Sequence, residues 1–277
     1  MAWPTAVAPL IAPASRNDPS ALLRLERRLR FYPALLLLTV LVMASFALPV
    51  KLRLFGSLGY SLTLLLLVLA LGGPIRHAGR PCLGNLLYRL LGLTALVVQG
   101  LWSFAPAGAQ RSGLPLLVMV TVFIAWSVLR LLALLALEPT VERRVLMGAV
   151  AGYLLLGLTA GLLMTILETI VPGSFTAVDD ATQVLGPITS AEVQQRMWQL
   201  DFVRLNYFAF VCLTTVGFGD IAPQTPQAQM ITVTFTVIGP TYMALVLGLL
   251  INRSNSAEAQ EVAAALKQLK AGGPPSP

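Results

Sequence analysis

Long apolar runs broken by short polar or basic joints dominate the chain. Six of them, approximately Tyr32 to Leu48, Leu54 to Leu71, Leu86 to Phe104, Leu114 to Leu137, Val145 to Val171 and Gln229 to Ile251, are each near the ~17 to 25 residues that a helical span needs. A seventh apolar, aromatic segment, Asp201 to Leu213, is about a dozen residues, too short to cross a bilayer, with Asp201 in position to cap its first turn. The pattern predicts an all-α integral membrane protein with six transmembrane helices and one re-entrant helix between the last two.

Composition sharpens this. With 277 residues, 56% hydrophobic and 11% charged, and a mean hydropathy of +0.78, the chain has little room for a separate soluble domain. A net charge of +7 would suggest nucleic acid in a soluble protein, but its location gives another reason. With both termini inside, 13 Lys and Arg fall on the cytoplasmic side and 5 outside, and Arg130 stays within the fourth run, which matches the positive-inside rule. Arg24, Arg27, Arg28 and Arg30 lie immediately before the first run, unlike a cleavable leader. Leu22, Leu25 and Leu29 recur among them at helical spacing, which fits a short helix lying on anionic lipid headgroups as well as a positive flank that only fixes topology. Cys82 and Cys212 fall at a loop edge and inside the short helix, so neither a disulfide nor a metal site is expected. The single His77 belongs to a solvated basic loop. There is no nucleophile, histidine and acid set, no metal cluster and no phosphate loop, so an enzyme and a cofactor are not expected.

After the short helix comes Thr214-Thr215-Val216-Gly217-Phe218-Gly219-Asp220. Successive carbonyls face one way only if alternate residues take left-handed backbone angles, which glycine reaches without steric cost. Gly217 and Gly219 sit where such an alternation needs them. A bare Gly-Phe-Gly would be an ordinary turn, but non-helical backbone at membrane depth is tolerated only where protein buries it or water lines it.

TTVGFGD resembles the selectivity filter of potassium channels, in the Phe-bearing form. The resemblance implies that K⁺ is the permeant ion, bound by the carbonyls of Thr215, Val216, Gly217 and Phe218, with the Thr215 hydroxyl at the lowest site and Gly219 completing the turn. It implies that Thr214, Asp220, Tyr207, Phe208 and Glu168 support the filter, with Tyr207 and Phe208 as packing braces. Val211 departs from members that carry a Glu there, so Asp220 is expected to lack that partner. Glu168 either reaches water or holds backbone beside the filter. One filter strand per chain cannot surround an ion, so three identical subunits must complete a homotetramer. The implied domains are a cytoplasmic tail at 1–31, a four-helix peripheral domain at 32–137, a cytoplasmic linker at 138–144, a pore domain at 145–252 and a short cytoplasmic helix and tail at 253–277.

The four peripheral spans resemble those of six-span channels in number alone. A voltage sensor repeats arginine at every third position, whereas the fourth span has only Arg130, expected to snorkel toward the cytoplasmic end, so gating should not be steeply voltage-dependent. Gly148, Gly152, Gly157 and Gly161 in the fifth span predict tight packing against the sixth. The 172–200 stretch reads as an external turret, with a helix near Ser190 to Trp198. Gly239 and Pro240 are gate candidates as a hinge or a static kink. Met243, Leu247 and Ile251 are candidates as a dewetting gate or simple packing. Val262, Leu266 and Leu269 form one seam. The reading is therefore a potassium-selective channel in a cell membrane; a non-selective or Na⁺-permeable channel and a non-conducting scaffold or silent subunit stay open.

Overall fold

The computed structural model describes residues 19–47, 53–72, 83–104, 113–137, 143–177, 191–246 and 248. The gate candidates Leu247 and Ile251, turret residues 178–190, residues 138–142 of the linker and the C-terminal seam lie outside the described residues. In chain order the elements are α1 (Pro19–Ser45), α2 (Arg53–Leu71), α3 (Leu83–Phe104), α4 (Leu114–Leu137), α5 (Arg143–Ile170), β1 (Phe175–Ala177), α6 (Ala191–Leu213), β2 (Ile221–Pro223) and α7 (Pro226–Val246).

Four helical stretches, Leu83–Leu101, Leu114–Ala136, Arg143–Ile170 and Pro226–Val246, are long and apolar enough to cross a membrane, while α1 and α2 contribute the shorter apolar stretches Arg30–Ser45 and Leu58–Leu71. On α3, Leu83, Leu86, Leu90, Leu93, Val97 and Leu101 all face outward. A helix so apolar on its exposed side has its solvent in lipid.

Two helix boundaries differ from the sequence expectation for a physical reason. Helix α1 starts at Pro19, so the basic stretch before Tyr32 continues the first apolar helix instead of forming a separate one, and Pro33 lies inside it. Helix α6 runs for 23 residues through Asp201, which is therefore inside the helix and not its cap. No Gly or Pro interrupts Ala191 to Leu213, and a mid-helix Asp costs only ~0.7 kcal/mol against Ala. The apolar part of α6 is Phe202–Leu213, as the pattern indicates.

Helix α5 is the axis of the molecule, packing on α1, α4 and α6. Its glycines explain why so many helices reach it, and they correct the expectation that all four serve the last span. A Cβ at Gly148 would strike the Tyr32 ring of α1 at 2.4 Å; one at Gly157 would strike the Phe210 ring of α6 at 2.3 Å. At Gly161 it would meet Asn206 of α6 at 2.2 Å, and only at Gly152 would it meet α7, through the Tyr242 hydroxyl at 2.3 Å. The stripe is thus a row of notches, each filled by a side chain from one of three helices. Tyr242 donates its hydroxyl to the Ala149 carbonyl at 2.8 Å, tying α7 to α5.

Arg130 does not snorkel. Its side chain is buried, donates to the Leu71 carbonyl at 2.7 Å and to Asn85 Oδ1, and lies 4.3 Å over the Tyr88 ring. The last carbonyls of α2 have no helical partner, and the guanidinium fork supplies one.

Candidate functional site

Local chemistry sets the base of the 214–220 segment. As α6 ends, the Thr214 amide and hydroxyl both donate to the Phe210 carbonyl, at 2.9 and 2.7 Å. The Thr215 amide reaches Cys212 O at 3.0 Å and the Val216 amide reaches Val211 O at 3.1 Å. The Leu213 carbonyl is taken by the Tyr153 hydroxyl of α5 at 3.2 Å. Every carbonyl of the last turn is therefore engaged, and the chain leaves the helix with its direction fixed.

Beyond that base the backbone alternates in hand. Thr215, Gly217 and Gly219 have φ of 59°, 60° and 77°, every second residue of the segment. No Cβ clash makes glycine necessary at 217 or 219, since nothing lies within 4 Å of either in the single subunit; the requirement is conformational. Thr215 is the only non-glycine with positive φ among the described residues. A left-handed β-branched residue costs ~1 to 2 kcal/mol and persists only where its surroundings hold it. Sequence reasoning placed the alternation on glycines and missed that it begins one step earlier, at Thr215.

Two aromatic residues flank the segment in different directions. The Tyr207 ring stacks on Phe218, centroids 6.4 Å apart and planes at 6°, while Phe208 is buried and packs edge-on against Phe175 at 5.7 Å. Tyr207 does more than pack. Its hydroxyl is hydrogen-bonded to the Asp220 carboxylate, which holds the phenol above its ordinary pKa. Asp220 thus has a side-chain partner despite Val211, and it also accepts the Ile221 amide at 3.1 Å. Val211 offers Asp220 no hydrogen bond, and the donor comes instead from Tyr207 in the α6 turn that precedes it.

Glu168 is buried near the end of α5 and does not simply reach water. Its two oxygens accept the Gly173 amide at 2.7 Å and the Phe175 amide at 3.0 Å. Those amides lead into β1, which pairs antiparallel with β2 in the register Phe175 to Pro223, Thr176 to Ala222 and Ala177 to Ile221. Because β2 begins immediately after Asp220, Glu168 acts on the segment through a two-strand clasp. The Gln224 amide on the Ser174 carbonyl, 2.8 Å, closes the clasp, and the Thr225 hydroxyl caps α7 by accepting the Ala228 amide at 3.3 Å. The bond through Ser174 offered no sequence signal, because it uses main-chain groups.

Gly239 lies where α7 passes under α6. A Cβ there would sit 2.0 Å from the Leu213 carbonyl oxygen, so close backbone approach is reason enough for glycine. Pro240 and Met243 are exposed on α7 in the single subunit.

A family model described as Ion channel matches residues 152–254. That supports an ion channel. The matched region takes in α5 from Gly152, the clasp, α6, the 214–220 segment and α7, and leaves α1 to α4 outside. Together the ion-channel match and the apolar helices support a membrane protein. No curated protein and no solved structure matches the chain.

Proposed function

We propose that the chain is one subunit of a homotetrameric channel that conducts K⁺ passively and selectively. The observation that carries this is the left-handed backbone at Thr215, Gly217 and Gly219. With every second residue turned over, the carbonyls of a short extended segment point to one side, and four copies around an axis make stacked rings of oxygens that replace the water of a dehydrated cation. One strand gives a quarter of each ring, so four chains are needed. Val216 and Phe218 are 54% and 68% exposed in the single subunit, and Met230, Val233 and Val237 on α7 are also exposed, an apolar face that neighbouring subunits would cover.

In this reading α1 to α5 and α7 are six spans, α6 is re-entrant, and both termini are cytoplasmic. The clasp and the Tyr207 hydrogen bond to Asp220 hold the outer end of the filter. Pro240 and Met243 line the cavity below it. The test is ion flux from proteoliposomes of the purified protein. K⁺ should leave and Na⁺ should be retained, and Gly217→Ala should stop K⁺ release while leaving a tetramer of unchanged size. Equal K⁺ and Na⁺ release, undisturbed K⁺ release from Gly217→Ala, or a monomeric active particle would overturn the proposal.

A further inference from the structure

Where α2 ends, two arginines from different helices converge on its last carbonyls. Arg89 Nε donates to Gly72 O at 2.7 Å, and Arg130 Nη1 donates to Leu71 O at 2.7 Å. The two guanidinium groups are electrostatic neighbours, and among the described residues the other neighbours of Arg130 are neutral: Asn85 Oδ1 and the Tyr88 ring, whose hydroxyl is shared with Ser127 at 2.8 Å. A helix C-terminus offers only about half a negative charge, so the described groups at this corner hold an excess of roughly one and a half positive charges.

Among the described residues, α2, α3 and α4 carry Arg53, Arg89 and Arg130 and not one Asp or Glu. Arg130 is 8% exposed, and a charge withdrawn from water without an opposite charge costs several kcal/mol even after relaxation. An anion drawn to this corner from the surroundings would offset that cost.

The surroundings specify which kind. Arg89 is exposed and uses only Nε among the described residues, leaving both ends of its fork for a phosphate. Leu86 and Leu93, at i−3 and i+4 from it and hence on the same face of α3, are 55% and 48% exposed. Arg89 is six residues from the start of α3 and Arg130 seven from the end of α4, so both lie about 10 Å inside the helix ends, and the exposed Arg89 is within snorkelling reach of a headgroup while Arg130 stays buried behind it.

We propose that this corner binds an anionic phospholipid. Arg89 ligates the phosphate, Arg130 supplies charge from behind, and the acyl chains run along the exposed leucines of α3. In the proposed topology the site is on the inner leaflet, and it is separate from the basic residues that precede the first span.

The experiment titrates dioleoyl phosphatidylglycerol into the detergent-purified full-length protein and counts bound lipids by native mass spectrometry. Dioleoyl phosphatidylcholine and inorganic phosphate form parallel arms. Phosphatidylglycerol should bind more tightly than phosphatidylcholine, and Arg89→Gln should weaken it about fivefold, the worth of one basic residue at an anionic headgroup. Arg143→Gln, which removes an exposed arginine at the start of α5, should leave binding unchanged. Because Arg130→Gln risks the fold, Arg89→Gln carries the test. Equal affinity for the two lipids, equal weakening by Arg89→Gln and Arg143→Gln, or displacement of the lipid by equimolar inorganic phosphate would each overturn the proposal.

Discussion

Tyr207 and Phe218 stack with their planes within 6° of parallel, and the hydroxyl of the same tyrosine is hydrogen-bonded to Asp220, two residues beyond Phe218. One side chain of α6 thus holds the outer end of the 214–220 segment at two points, through a ring contact and a hydrogen bond. In the proposed channel this pairing resists collapse of the filter.

Tyr207→Phe keeps the stack and removes the hydrogen bond. Macroscopic currents from purified protein should inactivate faster, with ion selectivity unchanged. The effect has a pH signature. The phenol's folded pKa is raised by Asp220, so the neutral form's contribution is fully present below the ordinary tyrosine value of about 10 and is lost as pH rises through the folded value. Wild-type channels should inactivate faster only in that alkaline range, and Tyr207→Phe should show no alkaline component. Acceleration already between about pH 6 and 8 would contradict the assignment.

Glu168→Gln tests the clasp. A carboxamide can accept from only one of the Gly173 and Phe175 amides and turns an NH₂ toward the other. The loss of one charge-assisted hydrogen bond should lower stability by about 1.5 to 3 kcal/mol, read as a lower denaturation midpoint of the assembled protein. An unchanged midpoint would mean that Glu168 only meets solvent.

Gly239→Ala should be much more harmful than an alanine elsewhere in the helices. Its Cβ would meet a main-chain oxygen, Leu213 O, which cannot rotate away, so α7 must shift at a cost of about 1 to 3 kcal/mol or more. Gly100→Ala on α3 has nothing within 4 Å and should be neutral, or stabilising by up to ~1 kcal/mol. Thermal unfolding of the two variants side by side gives the comparison.

The parts legible in the sequence were those that a single residue type enforces locally. Gly217 and Gly219 announced the alternation because few other residues tolerate it, and the apolar run lengths marked the long helices. What stayed hidden depended on tertiary neighbours. The glycine row of α5 showed that something approaches closely but not that Tyr32, Phe210, Asn206 and Tyr242 each take one notch. Asp201 looked like a cap because apolar residues begin after it, yet helix propensity across 191–200 carries α6 through it. Arg130 looked like a snorkelling residue because the carbonyls that hold it belong to α2, 59 positions earlier.

The seat of Arg130 bears on voltage. A guanidinium bonded to the end of α2 and lying over Tyr88 is part of the scaffold. Each elementary charge crossing the field contributes only about 2.3 kcal/mol per 100 mV, so even one moving arginine per subunit would give a shallow response. Conductance–voltage curves should therefore be nearly flat, and Arg130→Lys, which retains the charge, should not steepen them. A steep curve carrying several gating charges would place the sensor in these helices after all.

The most direct measurement is the reversal potential of single channels of the purified protein in a bilayer with K⁺ on one side and Na⁺ on the other. If four left-handed ladders at 215–219 replace the water of K⁺, the current must reverse far from zero, at a voltage that opposes K⁺ leaving its side. A reversal at zero would mean that the two ions pass alike, and the account built on this segment would be wrong.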